Sequence, residues 1–451
     1  MNRVDVAIVG GGFSGCTVAA QLARMAPESI AVTLFEDGPL ARGAAYGTRH
    51  GEHLLNTRAS AMTAFPDEPE HFVRWLDGRA QAHEFVSRRV YGDYLESTAN
   101  QTFARPGFEH IQARVEGVEP NPNGGFDLRT RDGQTSRASI VVLAVGHAPP
   151  ATDFLPASMI ASDRFVGDPW RFDYRAVEGN VLLIGSGLTA LDAVSALRTG
   201  GHRGDIEVVS RHGRFPQTHV EKPVPYDAAP LLDAGDTRRL VRSFRQCLNA
   251  AAERGYDWRS VVDAIRPHSE SLWRRLPEAE RFRFDRHLRS RWELRRHRAP
   301  KAVTDALDAY RDSGRLHVYA GRISGYDGER VTIGLAGGRT AEVEPRWIVN
   351  CTGPARGAAA LDRAPLTGLR RSGALSPATS GRGVRVDGAL HPMASDGTPV
   401  PGLFVVGPLA GGSFFESTAV PELRDQARAA ATAVVAELAG GRSLAASTDR
   451  Q

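Results

Sequence analysis

The chain contains the same sequence motif twice: an apolar run, a glycine-rich turn and a stretch with helical spacing. VAIVGGGFSGCTVAAQLA stands near its start, from Val6 to Ala23, and VLLIGSGLTALDAVSALR near its middle, from Val181 to Arg198. In each copy a short apolar run rich in β-branched residues predicts a buried strand, and small or apolar residues at helical spacing follow the glycines. A repeated unit of this kind predicts an α/β protein with two Rossmann-like dinucleotide-binding domains.

The first glycine motif has the pattern GxGxxG, formed by Gly10, Gly12 and Gly15. In dinucleotide-binding turns the first glycine permits the turn, the second admits a pyrophosphate, and the third lets helix and strand pack closely. The next predicted strand, Ile30–Phe35, ends in Glu36. A carboxylate there would accept hydrogen bonds from an adenosine ribose, so the order of elements predicts a dinucleotide site rather than a glycine-rich turn before a surface acid.

The second motif has small residues at the same spacing, in the permitted GxGxxA variant: Gly185, Gly187 and Ala190. The strand that follows, Ile206–Val209, ends in Ser210 and Arg211 instead of an acid. A hydroxyl and a guanidinium suit the 2′-phosphate of NADP, so the pattern favours NADPH over NADH; the alternative is an exposed loop arginine. Two sites with different ribose ends predict hydride transfer between two cofactors, and FAD with NADPH is the usual pair.

Length, composition and cysteine usage narrow the class of protein. A chain of 451 residues is too long for one ordinary core, and 41% hydrophobic residues with 24% charged residues is typical of a folded soluble protein. Cys16, Cys247 and Cys351 form no CxxC pair, which argues against a disulfide scaffold, a metal site or a dithiol redox centre. Apolar runs fall well short of the roughly 20 residues that a membrane helix needs, so we expect a cytoplasmic protein without a membrane span.

Glycine and turn signals predict the order of the domains. Two apolar strands closed by glycine, Ile140–Gly146 and Trp347–Gly353, are expected where the chain passes between the nucleotide domains. Alternating stretches with Asn-Gly or Asp-Gly turns, over 113–139 and 321–343, predict hairpins. The predicted FAD domain comprises 1–175 and 346–440, the NADPH domain comprises 176–345, and a flexible tail spans 441–451 after a helix over Val420–Ala439.

A strongly basic segment interrupts the NADPH domain, and we predict a helical insertion over 216–300. From Arg238 to Arg298 there are 17 Arg against 8 Asp or Glu, and apolar residues recur at three- and four-residue spacing. Such helices could cover NADPH and a carboxylate-bearing substrate, or form a solvated, salt-bridged cap. The arginines alternate with acids and no RNA-binding signature is present, so we do not expect nucleic acid as a partner.

Four further stretches, together with the motif order, carry a family resemblance: HLLNTRASAMTAFPDEPEHFVRWL (53–76), FVSRRVYGDYL (85–95), SRHGRFPQTH (210–219) and FFESTAVPELRDQA (414–427). The chain resembles the two-dinucleotide-binding-domain flavoproteins, which include glutathione-reductase-like enzymes and flavin monooxygenases. More narrowly, it resembles the bacterial FAD/NAD(P)-binding proteins related to flavin-dependent amine N-hydroxylating monooxygenases. The resemblance spans nearly the whole chain.

The resemblance implies roles for particular residues. It assigns the first glycine motif and Glu36 to the adenosine half of FAD, and the loop around Asn56 and Met62 to the neighbourhood of the flavin. Gly146 is expected near the cofactor. Gly407 and Ser413 are expected by the ribityl chain and the pyrimidine end of the flavin. His219 is a candidate substrate or nicotinamide contact and, with Asn56, a candidate catalytic residue. Where many relatives have Gly-Asp after the last strand, this chain has Gly407-Pro408, so the contact of that acid must come from elsewhere.

These observations predict an FAD-dependent oxidoreductase that is reduced by NADPH. The preferred hypothesis is a monooxygenase that N-hydroxylates an amine-bearing small molecule, which the arginines would suit if it is anionic, through a C4a-hydroperoxyflavin. One alternative is a dehydrogenase or reductase that acts on a small molecule or a partner protein without oxygen insertion. Another is a nucleotide-binding module without turnover.

Overall fold

A computed structural model describes residues 2–221, 224–227 and 235–448 of the chain. Its strands are β1 (Asn2–Val9), β2 (Val32–Phe35), β3 (Phe108–Ile111), β4 (Val115–Pro120), β5 (Phe126–Thr130), β6 (Thr135–Leu143), β7 (Phe165–Val166), β8 (Val181–Ile184), β9 (Ile206–Ser210), β10 (Leu316–Tyr326), β11 (Val331–Leu335), β12 (Thr340–Val343), β13 (Trp347–Asn350) and β14 (Leu403–Val405). Its helices are α1 (Phe13–Met25), α2 (Gly43–Tyr46), α3 (His71–Leu76), α4 (Arg88–Phe103), α5 (Ala157–Ile160), α6 (Leu188–Thr199), α7 (Thr237–Glu253), α8 (Trp258–Ile265), α9 (Ser269–Arg275), α10 (Glu278–His287), α11 (Arg289–Arg296), α12 (Lys301–Asp312), α13 (Leu366–Arg371) and α14 (Val420–Thr448).

The first sheet is a parallel sheet with an antiparallel extension. Strands β3, β2, β1 and β6 pair in parallel in that order, and β14 pairs in parallel with the carboxyl half of β6. The amino-terminal half of β6 pairs antiparallel with β5, which in turn pairs with β4. The predicted hairpins over 113–139 are therefore confirmed, and the long strand β6 belongs to both parts of the sheet.

The second sheet repeats this design with one change. Strands β10, β9, β8, β13 and β7 pair in parallel in that order, and β11 and β12 extend the sheet antiparallel from β10. In the first sheet the shared long strand, β6, follows the hairpin strands β4 and β5 in the chain. In the second sheet the shared long strand, β10, precedes the hairpin strands β11 and β12. The fold class predicted from the sequence, an α/β protein with two Rossmann-like domains, is confirmed.

Alternate side chains of β8 reach opposite faces of the second sheet, and both faces are covered. Val181 and Leu183 belong to an apolar core with α6 and α12, whereas Leu182 and Ile184 belong to a second core with α5 and the hairpin strands. Burial on both faces explains why these strands are continuous apolar runs without polar alternation. The same holds for β2, in which every residue is buried.

The described chain divides into two compact units. The first comprises residues 1–49, 57–148 and 355–451, and the second comprises 50–56 and 149–354. The chain changes unit directly after the two glycine-closed strands, at 148 and 354, rather than at the predicted boundaries after 175 and 345. The short excursion 50–56 into the second unit was not predicted; Leu54 packs there against the apolar core, and His50 lies 5.4 Å from Tyr174, ring centroid to ring centroid.

The predicted helical insertion forms α7 to α11, and its first two helices begin with polar caps. Asp236 accepts from the amide of Arg239 at the start of α7, and Asp257 from that of Arg259 at the start of α8. The apolar face of these helices encloses a small core of its own around Cys247, Ala251 and Val261. The part of the insertion over 222–223 and 228–234 lies outside the described residues.

The last helix is longer than predicted, because α14 continues past Gly440 to Thr448. The predicted flexible tail over 441–451 therefore begins as helix, and its last three residues lie outside the described chain. Among the described residues no helix combines the length and apolar character that crossing a membrane requires.

Candidate functional site

Two of the three glycines in the first motif are required by packing within the protein. Gly10 has φ +103°, and a Cβ there would lie 2.5 Å from the carbonyl oxygen of Ala144. A Cβ on Gly15 would overlap the carbonyl oxygen of Gly10 far inside any permitted contact distance. These glycines let α1 start directly at the ends of the parallel strands β1 and β6.

The middle glycine, Gly12, has no such requirement. It caps α1 in an extended conformation, φ −77° and ψ −165°, that any residue adopts, and no side chain caps the helix. A Cβ there would meet only the Cα of Gly43 at 3.6 Å, which is an ordinary contact. The protein itself does not explain a glycine at this position, whereas a phosphate that approaches the uncapped amides of α1 does.

Glu36 lies beside this turn at the end of β2, as predicted. Its carboxylate accepts hydrogen bonds from the amide of Gly11 at 2.7 Å and from the amide of Gly38 at 2.9 Å. The side chain is half-buried. The acid predicted to bind a ribose is thus held by two main-chain donors at the edge of the glycine turn.

Gly407 packs onto the same helix start. It has φ +78°, and a Cβ there would lie 2.8 Å from Oγ of Ser14 in the first turn of α1. The amide of Gly407 donates to Oε1 of Gln426 on α14 at 3.1 Å. Ser413 is engaged elsewhere, because its hydroxyl bonds the amide of Val386 at 2.8 Å and the carbonyl oxygen of Val386 at 2.9 Å.

The remaining predicted residues of the first unit have main-chain roles in the structure. Gly146 has φ +63°, and its carbonyl oxygen accepts from the guanidinium of Arg363 at 3.1 Å. Met62 is buried and ends a short 3₁₀ turn, where its amide donates to the carbonyl oxygen of Ala59 at 3.0 Å. The last helix begins at Val420, as predicted.

Several buried polar atoms of the first unit have no hydrogen-bond partner among the described residues: Nε2 of Gln426, the hydroxyl of Tyr91 and Nε of Arg424. Tyr91 stacks on Phe13, the first residue of α1, with ring centroids 6.5 Å apart. Buried polar groups are almost always satisfied, so a set of this kind next to the glycine turn fits a large polar ligand. The residues present therefore fit FAD.

We call the turn at 10–15 with the start of α1 the first cradle, and the turn at 185–190 with the start of α6 the second cradle. The second cradle has the same geometry as the first at its first two glycines. Gly185 has φ +108°, and a Cβ there would lie 2.5 Å from the carbonyl oxygen of Cys351. Gly187 caps α6 with φ −80° and ψ −168°, and a Cβ there would meet nothing within 4 Å. The third position, Ala190, is fully buried and accommodates its methyl group. This arrangement again leaves room for a phosphate at a helix start.

The end of β9 differs from the end of β2 in both charge and bonding. Ser210 lies at 2.8 Å from the hydroxyl of Ser186 and accepts from the amide of Gly213 at 3.0 Å. Arg211 is exposed, and among the described residues nothing pairs with its guanidinium. A cation is thus available where the first cradle has a bonded acid.

The structure brings together the two candidate catalytic residues, Asn56 and His219, within the second unit. Nε2 of His219 lies 3.0 Å from the main-chain carbonyl oxygen of Asn56 and therefore donates to it. The amide of His219 donates to the carbonyl oxygen of Ala299 at 3.0 Å. Because the contact uses the main chain of Asn56, it fixes the imidazole and gives no role to the carboxamide.

The three cysteines are separate, reduced and buried. Burial raises the pKa of the Cys16 thiol to about 12 and raises that of the Cys351 thiol still further. Cys16 also donates to the carbonyl oxygen of Gly11 at 3.3 Å. Thiols in such surroundings stay protonated at neutral pH and are poor nucleophiles.

Sequence reasoning missed Gln426 as a partner of the first cradle. It lies in the FFESTAVPELRDQA stretch, but nothing in the pattern separates it from the other polar residues there. A usable signal is its position one residue before Ala427, on the buried side of α14 with Ala430 and Val434. A polar residue on an otherwise apolar helix face indicates a specific hydrogen bond.

Comparison with known proteins agrees with this geometry. A family model described as FAD-NAD(P)-binding matches residues 7–148, which contain the first cradle. An uncharacterised protein of Mycobacterium tuberculosis is 25% identical over 415 residues, which are 80% of this chain and 75% of that protein.

Solved flavoenzymes share the fold over almost the whole chain. L-lysine 6-monooxygenase from Pseudomonas syringae matches with a TM-score of 0.63 and 19% identity over 96% of this chain and 99% of its own. The cadaverine monooxygenase of Erwinia amylovora, solved with FAD bound, matches with 0.63 and 14% over 96% and 95%. The bacillithiol disulfide reductase of Bacillus cereus matches with 0.59 and 14% over 96% and 99%.

Fold and site together define an FAD/NAD(P)-binding protein with two dinucleotide-binding domains. Residues 7–148 are its FAD/NAD(P)-binding domain, and the whole chain has the fold of the flavoprotein oxidoreductases. Both oxygenases and disulfide reductases use this fold, so the fold alone leaves the reaction open.

Proposed function

We propose that the protein is an NADPH-dependent flavin monooxygenase that N-hydroxylates an amine-bearing small molecule. In this reaction an amine, O₂, NADPH and a proton give a hydroxylamine, NADP⁺ and water. One oxygen atom enters the N–O bond and the other leaves as water, with two electrons from NADPH. A cytoplasmic location and a small-molecule substrate remain part of the proposal.

The observation that carries the choice of acceptor is the state of the cysteines. A disulfide reductase of this kind needs a reactive thiol whose thiolate can attack the disulfide substrate. Cys16, Cys247 and Cys351 are each buried and unpaired, and burial raises the pKa of all three thiols. This arrangement supports oxygen over a disulfide as the acceptor of the electrons.

The residues of the first cradle would bind and orient FAD. Gly12 leaves space for the pyrophosphate at the start of α1, and Glu36 would accept the ribose hydroxyls. Gln426 has a buried Nε2 that requires an acceptor, and it lies on the turn at Gly407 where the acid of many relatives is absent. FAD, when bound, supplies hydride acceptance and oxygen activation.

The residues of the second cradle would bind NADPH, and His219 in the same unit is the candidate contact for the substrate. Gly187 leaves space for the pyrophosphate, and Arg211 offers an unpaired guanidinium to the 2′-phosphate. His219 holds a proton on Nε2 toward the carbonyl oxygen of Asn56. Main-chain hydrogen bonds hold the segment 217–219 next to Ala299, which donates to Gln217 at 2.9 Å and accepts from His219 at 3.0 Å.

Turnover with a panel of primary amines tests this proposal. The FAD-loaded protein is expected to oxidise NADPH in air, to release peroxide when no substrate is present, and to form hydroxylamine in step with NADPH consumption when a substrate is found. The same oxidation should stop under strict anaerobiosis after one equivalent per flavin. Sustained anaerobic turnover with an organic acceptor would contradict the proposal and support a reductase.

A further inference from the structure

Three arginines of the helical insertion lie together beside the segment that carries His219. Arg259 belongs to α8, Arg296 ends α11, and Arg298 lies in the link between α11 and α12. We call them the Arg298 cluster. Both Arg296 and Arg298 are buried, and the side chain of Arg298 is only 4% exposed. Arginine is almost never buried to this extent without full pairing.

The guanidinium of Arg298 is only partly paired. Its Nη2 bonds the carboxylate of Asp263, but Nε and Nη1 are buried and have no hydrogen-bond partner among the described residues. Leaving buried charged donors without acceptors is costly, so two such nitrogens on one side chain require an explanation.

Neighbouring charges act on Arg298 in opposite directions. Burial lowers its pKa most strongly, Asp263 opposes that effect, and the neighbouring charges of Arg296 and Arg259 lower it further. Arg259 pairs with Asp257 at 3.0 Å, so that acid is already committed. Asp263 thus pairs with one nitrogen of Arg298, and two nitrogens of the same guanidinium have no hydrogen-bond partner among the described residues.

The cluster is connected directly to the candidate active-site histidine. Nε of Arg259 donates to the carbonyl oxygen of Thr218 at 2.7 Å, and the following residue is His219. Thr218 forms a parallel bridge with Ala299, the residue after Arg298. An anion held by the cluster would therefore lie against the segment whose imidazole bonds Asn56.

We propose that the Arg298 cluster binds an oxyanion, the carboxylate or phosphate group of a small-molecule ligand. A guanidinium with free N–H donors in a low-dielectric site matches such a group in charge and in hydrogen-bonding geometry. Two sources are compatible: a carboxylate on the substrate, or a phosphate of the nucleotide. The first source extends the proposed function by making the amine substrate anionic, yet binding can be measured without any turnover.

The first experiment uses the wild-type, FAD-loaded protein and does not depend on a variant. Its unfolding temperature is measured against rising succinate and rising inorganic phosphate, with sodium chloride at equal ionic strength as the reference. The proposal predicts a saturable rise with at least one of the two oxyanions beyond the effect of chloride, because a ligand that binds the native state stabilises it. If both follow the chloride curve, the proposal is overturned.

Variants locate the effect. Arg298→Met is expected to weaken oxyanion binding about tenfold or more, since it removes charge-assisted bonds, while Arg242→Met on the exposed side of α7 leaves it unchanged. Asp263→Asn is expected to strengthen binding, because it removes the competing carboxylate. An equal oxyanion effect in Arg298→Met and wild type, or weaker binding in Asp263→Asn, would place the oxyanion elsewhere and overturn the proposal.

The Kd values of NADPH and NADH show whether the oxyanion belongs to the nucleotide or to the substrate. If the oxyanion is a nucleotide phosphate found only in NADPH, Arg298→Met should raise the Kd for NADPH and leave that for NADH unchanged. If it is a substrate carboxylate, both cofactors should bind as in wild type while succinate binding is lost. Oxyanion binding with no monooxygenase activity would reject the proposed function and keep this site, whereas the reverse result would reject the site alone.

Discussion

The two nucleotide cradles are nearly identical at their first two glycines and differ at almost everything that follows. Gly10 and Gly185 share φ values of +103° and +108°, and in both a Cβ would lie 2.5 Å from a carbonyl oxygen of the neighbouring strand end. Gly12 and Gly187 cap their helices with dihedral angles that agree within a few degrees. The turn is thus fixed by packing, while a ligand best explains the second glycine.

The difference at the third position shows how closely each helix approaches its strand. Gly15 leaves no room for a methyl group against the carbonyl oxygen of Gly10, whereas Ala190 is buried without strain. The second turn therefore has room for a methyl group that the first turn lacks. Only the first turn makes glycine obligatory at this position.

The second strand of each cradle differs in charge both at its end and inside. β2 ends before Glu36, while β9 ends in Ser210 before Arg211. Within the strands, the residue that pairs with the middle of the first strand is Thr33 in one unit and Glu207 in the other. Both are buried. The two copies have thus kept the turn and changed the charges around it.

The largest expected effect comes from exchanging the third residue. Gly15→Ala should destabilise the protein by about 3 kcal/mol or more and abolish FAD retention, because the methyl group has no place to go. Ala190→Gly should cost only about 1 kcal/mol, mainly in helix propensity. Chemical denaturation and flavin content measure both. Similar costs for the two variants would mean that the cradles do not differ in packing.

The next effect is the contribution of Glu207 to the pH dependence of stability. Burial, with a smaller contribution from Asp205, raises the pKa of this carboxyl from its ordinary 4.5 to about 7. At Glu207 the folded state binds more protons than the unfolded chain between these values, so the contribution of this group to stability falls as pH rises through that window, by about 3 kcal/mol at most. Glu207→Thr, which copies Thr33, should flatten the curve between pH 4.5 and 7.

The control for this change is Glu253→Gln on the exposed side of α7, which should keep the wild-type profile. Denaturant unfolding at pH 5 and pH 8 is sufficient for the comparison. The change in unfolding free energy from pH 5 to pH 8 is compared between wild type and Glu207→Thr. The same change in both proteins would show that Glu207 takes up no proton on folding.

The smallest effect concerns the ribose end of the second cradle. Arg211→Ala should raise the Kd for NADPH about tenfold and leave the Kd for NADH unchanged, because only NADPH carries the 2′-phosphate. Arg203→Ala, another exposed arginine of the same unit, serves as the matched control. Titration by quenching of protein fluorescence measures both constants. Equal losses for the two cofactors would remove the argument for NADPH.

Much of the fold follows from local signals in the sequence. The two glycine motifs, the buried strands beside them and the hairpins with Asn-Gly and Asp-Gly turns are all where they were predicted, because each rests on residues close in sequence. The excursion of residues 50–56 into the second unit could not be predicted. It depends on contacts such as that of Leu54 with a core built from distant segments.

The sites show the same division between local and distant information. Glu36 follows from its strand and lies where predicted, but its bonds to Gly11 and Gly38 are tertiary. Gln426 and Arg298 could not be singled out from sequence, since their significance lies in buried atoms without partners. Ser413, expected near the cofactor, is bonded to the main chain of Val386, a pairing that no local pattern encodes.

The central claim is that the two cradles bind two different nucleotides, and one pair of variants tests it most directly. Gly12→Ala and Gly187→Ala each add a methyl group that fits the protein but would collide with a bound phosphate. Both variants should therefore fold as wild type does. FAD content and the rate of anaerobic flavin reduction by NADPH are then measured. We predict that Gly12→Ala loses FAD, whereas Gly187→Ala keeps FAD and is reduced much more slowly. Loss of FAD in Gly187→Ala, or full FAD with normal reduction in both, would contradict the account.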